Sequence, residues 1–155
     1  MLRLLTRTTA RTMTTKAPWH AALPKPKSAP PQITVTELRE LAKTKKAGTE
    51  FIVVDARRAD FDDPGSNFIH HAAINLPAHT LYQTLPVVGP LLQNIPQVIF
   101  HCNSCKAGSR GERTAGWYQD YLDAQGITTS KAYVLEGGFK ALKAETPEEL
   151  KEVAV

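Results

Sequence analysis

The stretch "VIFHCNSCKAGSRGER" at residues 98–113 runs from an apolar segment into a loop that holds both cysteines of the chain. The apolar segment is short and rich in β-branched and aromatic side chains, which predicts a buried β-strand. Gly108 and Gly111 allow the following backbone to turn tightly. The next segment, residues 111–126, has apolar residues at helical spacing and ends at Gly126, a typical helix stop. The stretch is therefore a predicted strand, loop and helix.

Strand and helix signals alternate through the rest of the chain. Further strands are predicted in "EFIVVDAR" (50–57), "AAINLP" (72–77) and "KAYVLEGG" (131–138). A short amphipathic helix is predicted in "TVTELRELAKTK" (34–45), with Thr36 as its N-cap. This order predicts an α/β fold with a mainly parallel sheet flanked by helices, whose ligands bind beyond the carboxyl ends of the strands.

Two proline-containing segments give weaker signals. "LPVVGPLLQNIPQ" at residues 85–97 is interpreted as a loop that contains a short helix. The tail "AETPEELKEVAV" is interpreted as a final helix that begins near Thr146, because proline at position 147 followed by acidic residues is typical of a first helical turn.

The basic charge of the chain lies at its amino end. The formal net charge is +4, yet six of the 19 Lys and Arg residues lie in residues 1–36, which contain no acidic residue. Residues 37–155 therefore hold 13 basic and 15 acidic side chains. A slightly acidic body argues against nucleic-acid binding, which requires a basic surface.

Residues 1–32 are interpreted as a leader and linker that precede a single domain at residues 33–155. The leader is rich in Arg and Thr and free of acids, which is typical of a mitochondrial transit peptide. A disordered basic tail on a cytoplasmic protein is the alternative. The proline-rich part at residues 17–31 predicts an extended linker. No apolar run approaches the roughly 20 residues of a membrane span, so no membrane partner is expected.

The two cysteines are three residues apart, and the chain has no secretory signal pattern. Reduced thiols are therefore expected rather than a structural disulfide. Their spacing also suggests a zinc half-site or a dithiol redox pair. A structural zinc ion needs four ligands, and the five histidines supply no second chelating pair, so no metal or other cofactor is expected. A dithiol pair could coexist with catalysis.

A loop between a parallel strand and a helix directs backbone N–H groups toward one point, where the helix N-terminus adds positive potential. A cysteine at that point tends toward a thiolate, which is a reactive nucleophile, and Lys106 favours this charge. Arg110 offers a planar guanidinium to an oxyanion. The predicted catalytic residues are Cys102, Arg110 and Cys105. The predicted anion-binding loop comprises Asn103, Ser104, Lys106, Ala107, Gly108, Ser109 and Gly111.

Several motifs resemble the rhodanese-like domain family, over roughly residues 34–144. "VVDARRADF" (53–61) is similar to a strand-Asp-x-Arg segment of that family, and "YVLEGGFKAL" (133–142) is similar to its closing motif, with Leu142 where tryptophan is common. The His-Cys pair resembles a fungal-type branch, which is similar to arsenate reductases and cell-cycle dual-specificity phosphatases. The resemblance implies a cysteine nucleophile, an anion-holding loop and no metal.

The loop departs in length from what the resemblance implies. Family sulfurtransferases have four positions between the cysteine and the residue that closes the loop, and the phosphatase-like branch has five before an arginine. Seven residues separate Cys102 from Arg110, whereas four separate Cys105 from Arg110. Cys102 is the preferred nucleophile because it directly follows the apolar strand. Cys105 remains the alternative nucleophile or a resolving thiol.

The resemblance and the loop together favour sulfur transfer. The thiolate would attack the outer sulfur of a small donor, form a cysteine persulfide and pass sulfur to a thiophilic acceptor such as a protein thiol. Phosphatase or arsenate reductase chemistry on an oxyanion, with Arg110 holding the oxygens, is the first alternative. An inactive binding module is the second.

Four polar residues near the predicted strands have less specific roles. Asp55 is expected to hold loop backbone by hydrogen bonds rather than to act as a general acid. His101 is expected to face the core. His70 and His71 are expected to point to opposite sides of an extended segment and to be ordinary exposed polar residues.

Overall fold

The computed structural model of the protein describes residues 16–154. A five-stranded parallel sheet forms its centre, with the strand order β1-β6-β5-β2-β4. The five strands are β1 (Gln32–Ile33), β2 (Phe51–Asp55), β4 (Ala73–Asn75), β5 (Gln97–His101) and β6 (Lys131–Leu135). The predicted α/β fold with a parallel sheet is confirmed. The basic leader prediction for residues 1–15 lies outside the described residues.

Four helices cover the two faces of this sheet: α1 (Val35–Thr44), α2 (Ala78–Leu92), α3 (Arg110–Ala124) and α4 (Gly138–Glu145). All five residues of β2 are buried, as its continuous apolar run predicts. Ile52 and Val54 pack with α2 and α3, whereas Phe51 and Val53 pack with α1 and α4. Alternate residues of β2 therefore pack into two separate core layers, one on each face of the sheet.

Helix α1 begins two residues earlier than the sequence suggests. Thr34, not Thr36, is the N-cap: its side chain accepts a hydrogen bond from the Glu37 backbone, and the Glu37 carboxylate accepts one from the Thr34 backbone. The prediction of Thr36 was wrong because the acid that completes this reciprocal cap lies three residues after Thr34.

Helix α2 (Ala78–Leu92) begins before the segment 85–97, for which only a short helix was predicted, and covers residues 85–92 of it. Pro86 and Pro90 lie inside it, although proline removes a backbone donor from a helix interior. Leu81, Leu85 and Leu92 are buried against the sheet. Burial of this apolar face offsets the lost hydrogen bonds, because tertiary packing supplies most of the stability of helices in proteins.

The carboxyl-terminal segment forms a strand, so the predicted final helix was wrong. After a single 3-10 turn at Pro147–Glu149, β7 (Leu150–Glu152) pairs antiparallel with β3 (Phe68–His70). The acidic side chains interpreted as a helical first turn instead contact other elements, since Glu148 and Glu149 both pair with Arg39 of α1. Pairing with an available strand edge replaces the helix.

The proline-rich segment lies against α3 instead of standing apart as a linker. The indole Nε1 of Trp117 donates to the Pro24 carbonyl at 2.9 Å. The backbone N–H groups of Lys27 and Ser28 both donate to the Asp120 carboxylate at 2.8 Å. Gly116 allows this approach, because a Cβ there would lie 2.6 Å from Pro26. Among residues 16–154, no helix is long and apolar enough to cross a membrane.

Candidate active site

The predicted site residues lie at the carboxyl edge of the sheet, where β2 and β5 end side by side. Asp55 is in register with His101, so the loop that begins at Cys102 leaves the sheet next to the end of β2. The loop ends at Ser109, whose side chain caps α3 by accepting from the Glu112 backbone. The site therefore occupies the position where parallel sheets bind their ligands.

The two thiols face each other within this loop. Their Sγ atoms are 3.7 Å apart, and the Cys102 backbone N–H donates to Cys105 Sγ at 3.1 Å. Both cysteines are free, with 3% of Cys102 and 7% of Cys105 exposed. Only Cys102 lines the open cleft described below. Cys105 therefore acts on Cys102 from inside the protein.

The surroundings of the two sulfurs favour a thiolate at Cys102 and a thiol at Cys105. The hydrogen bond from the Cys105 thiol lowers the pKa of Cys102 to about 4, and backbone N–H groups of Gly111, Cys105 and Ser104 add to this effect against the opposing effect of burial. The same hydrogen bond, together with burial and the negative charge of Cys102, raises the pKa of Cys105. The proton is thus held on the inner sulfur.

Backbone geometry brings Cys105 into this position. Cys105 has a φ of 45°, in the left-handed region that residues other than glycine rarely occupy. Gly111 leaves the space that its sulfur fills, because a Cβ at Gly111 would lie 2.7 Å from Cys105 Sγ. Such a conformation persists only where the surrounding structure enforces it, and such positions cluster at functional sites.

Arg110, the predicted anion clamp, is engaged by an aspartate. Both terminal guanidinium nitrogens donate to the Asp60 carboxylate, in a paired arrangement across the site. This hydrogen bonding lowers the pKa of Asp60 to about 2 and raises the pKa of Arg110. The guanidinium lies at the cleft, but an anion there would have to compete with Asp60 for it.

The amino end of α4 anchors the loop from behind. The Phe139 N–H donates to the Cys102 carbonyl at 2.9 Å, and the Lys140 N–H donates to the Asn103 carbonyl at 3.0 Å. Gly138 has a φ of 59° and lies so close that a Cβ would be 2.5 Å from the Cys102 carbonyl oxygen. The Gly-Gly-Phe motif therefore fixes the backbone of Cys102, the predicted nucleophile.

Gly138→Ala is expected to displace the backbone of Cys102. The rate of the reaction at Cys102 should fall at least about tenfold, because small displacements of reacting groups have large effects on rate. We also expect about 1–3 kcal/mol of destabilisation from the left-handed backbone and the clash. Steady-state rates and urea unfolding measure the two effects. Gly126→Ala is the matched control: Gly126 has a φ of 65°, but a Cβ added there would meet nothing within 4 Å. Equal effects of the two substitutions on turnover would contradict the anchoring role.

A buried ion pair lies beneath the site. Asp55 and Arg57 are fully buried, and the guanidinium of Arg57 donates to both carboxylate oxygens of Asp55. Asp55 was expected to hold loop backbone, and this is confirmed: the Arg57 backbone N–H donates to Asp55 Oδ1 at 3.0 Å. The guanidinium of Arg57 makes more hydrogen bonds to Asp55 than this backbone group does, and this pairing was not predicted. His101 is buried as expected, with Nε2 3.8 Å from Asp55 Oδ2 and Nδ1 3.0 Å from the Cys102 carbonyl.

The two adjacent histidines differ from the prediction. His70 is 1% exposed, and its ring stacks on that of His71 with centroids 4.4 Å apart, so the side chains do not point to opposite sides. His71 follows β3 in a turn, where strand alternation no longer applies. Nε2 of His70 lies 3.4 Å from Glu149, and burial lowers the pKa of His70 to about 3. His70 is therefore a neutral residue that joins β3 to the carboxyl-terminal segment.

The thiolate opens into a cleft of about 380 Å³. Trp19 and His79 lie beside the loop in this cleft, with ring centroids 4.6 Å apart. Neither was predicted as a site residue. Trp19 was assigned to the linker, and no sequence signal connects it to the loop. The lining residues are Trp19, His79, Cys102, Asn103, Ser104, Gly108, Ser109 and Arg110.

The structure brings together only part of the predicted anion-binding loop. Backbone N–H groups of Ser104 and Gly111 contribute to the lowered pKa of Cys102. The N–H of Gly108 donates to the Glu112 carboxylate instead. Lys106 and Ala107 are exposed and do not line the cleft. No group of three possible metal ligands occurs among residues 16–154.

The ionisation of Cys102 predicts an unusual pH profile for alkylation. Since the pKa of Cys102 is about 4, the thiolate is the dominant form above that pH, and the rate of iodoacetamide labelling at this residue should be constant from about pH 6 to pH 8. Cys105→Ala removes the largest stabilising contact, so the midpoint should move toward the ordinary value of about 8.5. A wild-type midpoint near that ordinary value would contradict the thiolate assignment.

Comparison with known proteins identifies the fold of the chain. No protein-family model matches the sequence, and a search of curated proteins gave no match. A Saccharomyces cerevisiae homologue of single-domain rhodaneses and of the Cdc25 phosphatase catalytic domain matches with a TM-score of 0.63 and 23% identity, over 77% of this chain and 83% of the other. The As-Sb reductase from Leishmania major matches with a TM-score of 0.60 and 19% identity, over 81% of this chain and 88% of the other. A second structure of the same yeast protein, described as a protein tyrosine phosphatase of the rhodanese family, matches with a TM-score of 0.61 and 20% identity, over 79% of this chain and 92% of the other. Together with the parallel sheet, these similarities show that the chain has the rhodanese-like fold.

Proposed function

We propose that the protein is a sulfurtransferase that carries sulfur as a persulfide on Cys102. The supporting observation is the environment of its Sγ atom. Cys105 Sγ lies 3.7 Å from this sulfur, hydrogen bonding by that thiol and by backbone N–H groups lowers the pKa of Cys102, and Arg110 is occupied by Asp60. Attack on a sulfur–sulfur bond requires a thiolate as the nucleophile, and it does not require a guanidinium to hold three oxygens.

The first half of the proposed reaction uses thiosulfate as the simplest donor. The Cys102 thiolate attacks the outer sulfur, a new sulfur–sulfur bond forms, and the bond to the sulfonate group breaks. Sulfite leaves with the electron pair. The outer sulfur of the resulting persulfide is negatively charged, and the N–H groups around the loop stabilise it as they stabilise the thiolate.

The second half returns the enzyme to its starting state. A thiophilic acceptor, such as cyanide in the test tube or a protein thiol, attacks the outer sulfur. The Cys102 thiolate is the leaving group, and the low pKa of this thiol makes it a good one. The open cleft leaves the attacked sulfur accessible to a partner.

The experiment that tests this function mixes the reduced protein with excess thiosulfate and follows sulfite rapidly. We expect a burst of one sulfite per protein before any acceptor is added. In a parallel reaction, excess cyanide supplied together with thiosulfate should yield thiocyanate. The absence of a sulfite burst in correctly folded protein would contradict the proposal.

Oxyanion chemistry is the second candidate, because Arg110 lies in the same cleft as Cys102. Two of the structural neighbours are described as an As-Sb reductase and a protein tyrosine phosphatase. In this candidate function the guanidinium must leave Asp60 and hold the oxygens of arsenate or a phosphate ester.

Asp60→Asn should strengthen oxyanion binding by at least about tenfold, because it frees a charge-assisted donor worth roughly 1.5–3 kcal/mol. Protection of Cys102 from alkylation by increasing arsenate measures this affinity. Asp62→Asn is the control, since Asp62 belongs to the same 3-10 turn but makes no hydrogen bond with Arg110. Unchanged arsenate affinity in Asp60→Asn would show that Arg110 does not contribute to anion binding.

A further inference from the structure

We propose that Cys105 cleaves the Cys102 persulfide and releases its outer sulfur as hydrosulfide, so that the protein also reduces sulfane sulfur to sulfide. This inference rests on the proposed function, because it requires the persulfide. It adds a second activity, in which the protein's own dithiol supplies the two electrons.

The position of Cys105 supports a chemical role for this residue. Its Sγ atom is 3.7 Å from Cys102 Sγ, and the two sulfurs have to approach only to about 2.0 Å to form a disulfide. The backbone of Cys105 adopts an unfavourable left-handed conformation that directs the side chain at Cys102.

Persulfide formation changes the charge that holds the proton on Cys105. While Cys102 is a thiolate, the Cys105 thiol donates a hydrogen bond to it. When a second sulfur is attached, the negative charge moves outward to that sulfur. The Cys102 backbone N–H, which donates to Cys105 Sγ at 3.1 Å in the structure, would then stabilise a thiolate at Cys105. The resolving nucleophile is therefore activated after the persulfide has formed.

The step is balanced in atoms and electrons. Cys105, having lost its proton, attacks Cys102 Sγ. The bond between Cys102 Sγ and the outer sulfur breaks, and the outer sulfur leaves as hydrosulfide with the electron pair and the proton. Two cysteine thiols are oxidised to a disulfide, and one sulfane sulfur is reduced by two electrons. An external dithiol, such as dithiothreitol or a small redox protein, then reduces the disulfide and completes the cycle.

A single-turnover experiment tests the inference. Reduced protein is mixed with thiosulfate in the absence of cyanide and dithiol, and sulfite, hydrosulfide and the intact mass of the protein are followed. We expect hydrosulfide to follow sulfite in a ratio near one, and the protein mass to fall by two hydrogens as the disulfide forms. In Cys105→Ser the ratio should be near zero, and the protein should retain the mass of one extra sulfur.

The ratio of hydrosulfide to sulfite separates a resolving role from a structural one. A slower first step in the variant lowers both products together and leaves the ratio unaffected, whereas loss of the resolving thiol lowers hydrosulfide alone. Cys105→Ala provides a second variant without the thiol. If neither variant folds, the wild-type protein still tests the inference, because a resolving Cys105 requires hydrosulfide and the disulfide to appear at the same rate.

Failure of the inference and failure of the proposed function give different results. A sulfite burst with a stable persulfide in the wild-type protein, or equal hydrosulfide ratios in the wild type and Cys105→Ser, would overturn the resolving role and leave sulfur transfer intact. Absence of the sulfite burst would refute transfer from thiosulfate. In that case a polysulfide can load the persulfide directly, and a persulfide that remains stable beside Cys105 would overturn the inference.

Discussion

Sulfite release from thiosulfate is expected to fall by at least about 10³-fold in Cys102→Ser, because a hydroxyl cannot replace the thiolate as a nucleophile toward sulfur. The serine side chain has nearly the same size, so the loop should keep its conformation. The measurement is the initial rate of sulfite formation at saturating donor, together with circular dichroism to verify folding.

Cys105→Ser is the control variant for this measurement. This variant replaces the hydrogen-bonding thiol of Cys105 with a hydroxyl and retains the attacking sulfur, so the first step should remain measurable. The opposite pattern, with sulfite release surviving in Cys102→Ser and lost in Cys105→Ser, would assign the nucleophile to Cys105 and reverse the roles of the two thiols.

Asp55→Ala is expected to destabilise the protein by about 3–5 kcal/mol, because it leaves the Arg57 guanidinium charged and unpaired in the protein interior. Arg57 is fully buried, and its remaining contacts are two backbone carbonyls and the rings of Phe61 and Phe139. These contacts cannot replace the charge of the carboxylate. Urea unfolding, compared at equal slope, measures the change in the free energy of unfolding.

An exposed ion pair provides the control for this stability prediction. Glu40 and Lys43 pair at 2.7 Å on the surface of α1, with about 60% of each side chain exposed. Glu40→Ala should change the free energy of unfolding by less than about 1 kcal/mol, since solvent screens such pairs. Similar effects of Asp55→Ala and Glu40→Ala would contradict the structural importance of the buried pair.

The elements that sequence patterns predicted correctly are those whose signal is local. The apolar runs of β2 and β5 are strands buried on both faces, and the helical spacing that ends at Gly126 is α3. The position of Cys102 at the end of a central strand follows from the same runs. This was enough to predict the fold class and the general location of the site.

The elements that were missed depend on contacts between distant parts of the chain. Strand β7 forms only because the edge of β3 is available, and α2 tolerates two prolines because one face is buried. The C-terminal acidic residues favour a helix locally, but Glu149 instead pairs with Arg39 and contacts His70, both of which are distant in sequence. A local pattern contains no information about such partners.

The candidate site shows the same division. The two cysteines and Arg110 were predicted from their spacing, but Asp60 lies 50 residues from Arg110 and its role as a partner had no sequence signal. Trp19 also lines the cleft, although it belongs to a segment that was interpreted as a linker. Cys102 was already the preferred nucleophile from its position after the strand, and the structure adds that Cys102, and not Cys105, lines the cleft.

The central claim is that Cys102 is ionised and Cys105 is not. Labelling with less than one equivalent of iodoacetamide at about pH 6 tests it most directly, because a thiol with an ordinary pKa of about 8.5 is almost entirely protonated there. Peptide mapping of the unlabelled and labelled cysteines should place nearly all of the modification on Cys102. Modification mainly at Cys105, or equal modification of the two, would contradict the account.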